Sequence, residues 1–189
     1  MTALNNISVG DRKLRILVVP SAYPASDSDI SGIFILDYLT SVKKYCDVTV
    51  LRATVREKGN RIESSVTYGF QTISYRNSSL SKLPGAKHLC YAGMIFRTVR
   101  LERKLATEQF DLIHVHGSTM HGMLAKRLAA KLKIPYVVTV HTGPFSKIAD
   151  NALLFKISKS IIEKASMLFT VSTDLKNQII DTGINPQQV

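Results

Sequence analysis

Two short apolar runs in this chain each end in an imidazole. Asp111-Leu-Ile-His-Val-His116 and Tyr136-Val-Val-Thr-Val-His141 are strand-like, and the Lys/Arg/Ala/Leu-rich stretch between them has a helical composition. Strand, helix and strand at this spacing form a parallel βαβ unit, which gathers functional groups at the carboxyl edge of a sheet. His116 and His141 then share one edge, either as hydrogen-bond donors to a ligand or as satisfied core residues. Thr142 and Gly143 follow at once and leave backbone N–H groups for the same ligand.

His114 and His116 stand at i and i+2 and so face one way, a spacing that metal sites use; His121 and His141 are further candidate ligands. Asp111 sits at the strand's start and no carboxylate accompanies the imidazoles, so no metal is expected. A second candidate is the long connection over residues 21–32, with Asp27, Asp29 and the helix-opening Ser31-Gly32-Ile33-Phe34. Gly32 either admits a phosphate to the helix N–H groups, worth about 0.3–1 kcal/mol per charge, or merely turns the chain. Neither GxGxxG nor GxxxxGK[ST] occurs, which disfavours a nicotinamide-binding domain and a P-loop NTPase. Pro20-Ser21 closes the first strand where a receiver domain needs acids for Mg²⁺, and an esterase's GxSxG is missing.

The third candidate is basic. Between Lys82 and Lys104 lie Lys82, Lys87, Arg97, Arg100, Arg103 and Lys104 against Glu102 alone. On a helical projection Cys90, Met94, Leu101 and Leu105 make an inward stripe, while Leu89, Phe96 and Arg103 face outward, flanked by Arg97 and Arg100. Apolar groups among outward arginines suit an anionic membrane surface; the alternative is a solvated helix face. Nucleic acid is disfavoured, since no stacking aromatics are interleaved with the basic residues.

The elements that position these groups can be read in order. A polar, flexible leader spans residues 1–13, and Leu14-Arg-Ile-Leu-Val-Val-Pro20 reads as the first and central strand. A helix from Ile33 to Tyr45 follows, then strands at Asp47–Leu51 and Val66–Tyr75, a Ser-rich loop from Asn77 to Gly85, and a helix from Lys87 to Thr107. After the two histidine-ended strands come a helix from Asn151 to Lys164, a strand at Met167–Val171, and a last helix capped by Ser172 or Thr173 and stopped by Gly183. This alternation predicts a doubly wound α/β fold, a Rossmann-like parallel sheet with helices on both faces. With 189 residues and 45% hydrophobic content, residues 14–189 suffice for one domain. The 25 Lys and Arg against 14 Asp and Glu give a net charge of +11, which favours acidic partners. Cys46 and Cys90 form no CxxC pair, and no secretory or membrane-spanning run is present, so a cytoplasmic protein with reduced thiols is expected. The ending Asn185-Pro-Gln-Gln-Val189 reads as a turn towards a further lobe.

Tyr23-Pro24, Ser31-Gly32-Ile33-Phe34, Phe110-Asp-Leu-Ile-His-Val-His116, Pro135-Tyr-Val-Val-Thr-Val-His141-Thr142 and Ala165–Val171 followed by Ser172 together resemble the N-terminal domain of GT-B glycosyltransferases of family 4. The resemblance covers nearly the whole chain after Lys13. It implies the acceptor-binding lobe of a two-lobed, retaining enzyme whose donor is a nucleotide sugar and whose acceptor is a glycan or lipid-linked molecule. It implies that Ser31 and Gly32 face the donor diphosphate, that His141 contacts the transferred sugar and is needed for activity, and that His116, Thr142, Gly143 and Ser172 are acceptor or sugar contacts. It implies no metal and no protein nucleophile, the donor phosphate itself helping to deprotonate the acceptor. The chain departs from the family where Ser31-Gly32 replaces a double glycine and His141-Thr-Gly-Pro144 replaces His-Gly-x-Asp. The family's glutamate pair, with seven residues between them, belongs to the C-terminal donor lobe and has no counterpart here. A stand-alone flavodoxin-like module for a phosphorylated ligand or protein partner is the alternative. The basic stretch of Leu89, Phe96, Arg97, Arg100 and Arg103 is the expected membrane-facing patch, at the inner face of the cell membrane.

Overall fold

The computed structural model describes residues 8–9, 12–24, 28–55, 60–77, 93, 95, 97–141 and 143–186. The elements are β1 (Ser8–Val9), β2 (Arg12–Lys13), β3 (Arg15–Val19), α1 (Ile33–Val42), β4 (Asp47–Thr54), β5 (Asn60–Thr67), β6 (Phe70–Asn77), α2 (Val99–Ala106), β7 (Leu112–His116), α3 (Met120–Leu132), β8 (Tyr136–Val140), α4 (Ser146–Ala149), α5 (Ala152–Ile162), β9 (Met167–Thr170) and α6 (Thr173–Asp181). Seven strands form one sheet in the order β5-β6-β4-β3-β7-β8-β9, parallel except for β5.

β3 is central because its residues are apolar on both faces. Leu17 and Val19 enter one core with Leu101 of α2, Leu124 and Leu128 of α3, and Ile161 of α5; Ile16 and Val18 enter the other with Ile35 and Leu39 of α1. Burying both faces accounts for an unbroken apolar run where a half-exposed strand would alternate. The chain leaves β3 towards β4 on one side and later returns with β7 on the other. The connections after β3 and β7 thus part to opposite faces, opening a crevice at their carboxyl ends, the place where open α/β sheets bind ligands.

Three differences from the sequence reading have physical causes. The run Val66–Tyr75 is not one strand: β5 and β6 form an antiparallel hairpin, turning at Tyr68 (φ 53°) and Gly69 (φ 75°). Two successive positive φ values mark a tight hairpin turn, and Tyr-Gly lacks the usual Asn-Gly or Asp-Gly signal. β5 is itself polar and largely exposed, so no apolar period announces it. Second, Ser8–Val9 and Arg12–Lys13 of the leader pair as β1 and β2, and the Arg12 guanidinium donates to both Asp111 oxygens at 2.7 Å. That contact, with the Arg15 N–H at 2.8 Å, holds the Asp111 carboxyl below its ordinary range. Third, the short helix α4 precedes α5, anchored by buried Phe145, whose N–H donates to Gln178 Oε1 at 2.8 Å.

Other expectations are met at residue level: Ser172 caps α6 by accepting from Leu175 N–H at 3.2 Å, and Gly183 ends α6 with φ 80°. The structure adds a cap for α5, where Asn151 accepts from Leu154 N–H at 3.0 Å. Of the helix expected over Lys87–Thr107, residues 93, 95 and 97–107 are described, α2 among them. The Ser-rich loop beyond Asn77, and Leu89, Cys90, Met94 and Phe96, lie outside the described residues. Cys46 is a buried free thiol, and its pKa is raised mainly by that burial. Among the described residues no helix is long and apolar enough to cross a membrane.

Candidate functional site

The parallel register of β7 and β8 sets His114 beside Val137 and His116 beside Thr139, so the side chains of both histidines leave the face that α1 covers. His141 comes directly after the last residue of β8. The imidazoles form a row: His114 and His116 stack at 4.5 Å with 23° between planes, and His116 and His141 at 5.0 Å with 15°. His116 Nδ1 lies 2.7 Å from His141 Nε2. His114 is fixed at both nitrogens, Nδ1 to the Tyr38 hydroxyl at 2.9 Å and Nε2 to the Thr139 hydroxyl at 2.7 Å. Tyr38 also meets the His116 ring edge-on at 5.3 Å, and one turn earlier on the same helix Phe34 packs on His141 at 4.8 Å.

Burial decides the charge state of this row. Desolvation, reinforced by the neighbouring imidazole charge, pushes His114 down to about 4, and burial with both neighbours pushes His116 to about 2. His141, half-buried, moves in the same direction for the same reason. All three are therefore neutral at pH 7, and each has one N–H to place. His116, expected as an acceptor or sugar contact, is 1% exposed in this lobe; it touches His141 and stands behind it. Among the described residues its Nε2 has no partner, nor does the buried Ser118 hydroxyl. Unpaired buried polar atoms cost about 1–3 kcal/mol each, which the packing around them must offset.

His141 opens on a pocket of about 110 Å³ lined also by Ser21, Gly117, Ser118 and Thr119. These residues close the crevice between β3 and β7. A groove of about 590 Å³ including Arg15, Lys43, Asp47 and Gln71 lies at the opposite, amino edge of the sheet and holds none of the histidines. His121 turns away, its Nε2 3.3 Å from the Ala53 carbonyl. Among the described residues no group of three His, Cys, Asp or Glu side chains is placed to hold a metal.

Gly32 stands at the entry of α1 with φ 77°, and a Cβ there would lie 2.2 Å from the Ala22 carbonyl oxygen. The chain's own backbone thus requires glycine, whatever approaches from outside. Ser31 N–H donates to Asp29 Oδ1 at 2.9 Å, and the Ser31 side chain is exposed. Gly143 is exposed and near His141 in sequence; Thr142 lies outside the described residues. Ser172 is exposed at the end of β9, its hydroxyl oxygen engaged by the Leu175 N–H. The sequence reading missed Tyr38, Thr139 and Phe34; the i, i+4 aromatic pair Phe34/Tyr38 on α1 was the available signal.

Arg97, Arg100 and Arg103 are exposed, whereas Leu101 and Leu105 are buried, as the helical projection requires. Glu102 is held by Arg127 at 3.2 Å and by the buried Thr98 hydroxyl, which ties α2 to α3. A groove of about 650 Å³ including Arg61, Ile62, Tyr75, Arg97 and Arg100 runs between the carboxyl end of β6 and the start of α2.

The model of Glycosyltransferase Family 4 matches residues 41–189. Among solved structures the chain is similar to an α,α-trehalose-phosphate synthase (UDP-forming) from Burkholderia vietnamiensis, with TM-score 0.57, 13% identity, and coverage of 88% of this chain and 42% of that one. It is also similar to an Arabidopsis thaliana UGT complexed with UDP (TM-score 0.55, 17% identity, 90% and 48% covered). A third is the UDP-GlcNAc 2-epimerase from Methanocaldococcus jannaschii (0.54, 18%, 91% and 43%). These likenesses establish the fold, and the chain spans less than half the length of each of these proteins. Among curated proteins none matches its sequence. The family match, over most of the chain and across the strands that carry His116 and His141, shows that this protein belongs to glycosyltransferase family 4.

Proposed function

We propose that this chain is the acceptor-binding lobe of a retaining, nucleotide-sugar-dependent hexosyltransferase acting in cell-surface glycan, lipopolysaccharide or glycolipid synthesis. The observation that carries the reading is His141, neutral and clamped between Phe34 and His116 at the carboxyl edge. A rigid neutral imidazole suits a hydrogen bond to a sugar oxygen, strengthened as charge develops at the transition state. In the reaction the bond from the anomeric carbon to the donor phosphate breaks and the acceptor oxygen bonds to the same face. The acceptor's proton passes to the departing phosphate oxygen, with no metal or protein nucleophile. Ile30, Ile33, Phe34 and Val171 leave apolar surface exposed on this side, which fits a C-terminal donor lobe facing it. UDP in the Arabidopsis relative is consistent with a nucleotide-sugar donor.

The exposed Arg97, Arg100 and Arg103 beside the basic groove support an anionic, lipid-linked acceptor at the cytoplasmic face of the membrane. In the full-length enzyme His141→Ala lowers kcat by about 10²-fold or more with the fold retained. Steady-state transfer assays and circular dichroism check both halves of that expectation. A near-wild-type rate removes His141 from the site. The lobe alone binds UDP- and GDP-sugars weakly in calorimetry, and micromolar affinity would overturn its assignment to the acceptor side.

A further inference from the structure

We propose that His116 is the positioning residue of His141: its Nδ1–H donates to His141 Nε2 and fixes His141 as the Nδ1–H tautomer, offering a donor to a ligand oxygen. The two nitrogens are 2.7 Å apart, and two neutral imidazoles can share only one proton between them. If His141 donated from Nε2, His116 would have to carry its own proton on Nε2. That atom is buried without a partner among the described residues, so the arrangement would strand an N–H away from any of their acceptors. With the proton on His116 Nδ1, the orphan is a bare lone pair. Buried N–H groups without acceptors are the rarer and costlier fault, so the second arrangement is selected.

The surroundings keep His116 in place. Tyr38 packs edge-on against it, His114 stacks behind it and is itself bonded at both nitrogens, and the β7–β8 register sets its backbone beside Thr139. On the far side Phe34 holds the His141 ring. No described protein group bonds to His141 Nδ1, so that N–H is the ring's free donor. A hydroxyl, carbonyl or phosphate oxygen is the matching chemistry. In the transfer reaction this group is a sugar oxygen, a role that rests on the function proposed above.

Long-range ¹H–¹⁵N correlation spectra of the ¹⁵N-labelled chain test the assignment without any sugar present. The expected pattern for His141 has Nδ1 in the protonated range and Nε2 in the unprotonated range. His116→Phe keeps the ring packing and removes the donor, so His141 returns to the Nε2–H form that free imidazole favours. His116→Asn places an amide N–H near the lost Nδ1 and restores the Nδ1–H form. An Nε2–H pattern in the wild type overturns the proposal even if a variant fails to fold, and so does an unchanged pattern in a folded His116→Phe. In the full-length enzyme His116→Phe lowers kcat about tenfold and His116→Asn recovers it. Loss of transfer in every form, with the predicted spectra intact, would count against the proposed function and leave the tautomer assignment standing.

Discussion

The histidine row and the basic face of α2 are both rich in groups that bind ligands, yet they are built in opposite ways. In the row every imidazole is over-determined: His114 has two hydroxyl partners, His116 is packed on both sides, and His141 is wedged between an imidazole and a phenyl ring. On and just before α2 the arginines at 97, 100 and 103 are exposed, while the inward Leu101, Leu105 and Glu102 are fixed. Fixed groups suit recognition of one oxygen in one geometry, and free charges suit a surface that has none. A substitution in the row should therefore disturb chemistry and lower stability while the fold is kept, whereas one on the basic face should disturb only association.

Acidification gives the largest contrast. Burial lowers His114 and His116 from their ordinary 6.5, so below about pH 6.5 the unfolded chain binds protons that the folded one refuses. Their contribution is full above that pH and falls at up to about 1.4 kcal/mol per unit for each histidine, or roughly 5 kcal/mol for the pair between pH 6 and 4. Urea unfolding at stepped pH should follow that slope, and a flat profile over this window would mean that the row is hydrated.

Next in size comes Gly32→Val. Positive φ and the 2.2 Å approach to the Ala22 carbonyl together cost about 2–5 kcal/mol, so loss of activity in this variant reports a distorted loop before it reports any diphosphate contact. Gly143→Ala supplies the control at the same edge. Among the described residues its new Cβ would meet only Leu175 Cδ1, at 3.8 Å, and thermal unfolding should place it within about 0.5 kcal/mol of wild type.

On α2, replacing Arg97, Arg100 and Arg103 together with Gln removes about 3 kcal/mol of attraction to anionic lipid, at about 1 kcal/mol per residue, a shift of more than a hundredfold. Co-sedimentation with anionic and neutral vesicles at two salt concentrations reads this directly, since screening shortens the attraction to about 10 Å at 0.1 M. Equal binding to both vesicle types would reduce the face to an ordinary solvated one. The smallest effect belongs to the same triple variant's stability, which should stay within about 0.5 kcal/mol per site, because all three side chains are exposed.

The order of strands and helices around β3, β7 and β8 was legible because their apolar runs are continuous and the last helix has an explicit cap in Ser172 and stop in Gly183. The hairpin was not, since β5 is polar and turns at Tyr-Gly without the common turn residues. Within the site, the i, i+2 period alone placed His114 and His116 on one face, and the βαβ pattern alone placed His116 and His141 on one edge. What the sequence could not decide was which histidine would line the pocket and which would stand behind it. That depends on Tyr38, Phe34 and Thr139, brought in by a helix and a strand far along the chain. It also depends on Ala22, whose carbonyl reserves position 32 for glycine. Local patterning is set by each segment's own periodicity and is readable in a line of letters. Burial, and with it the protonation of each imidazole, arises only when separate segments exclude water from one another, and so belongs to the tertiary structure.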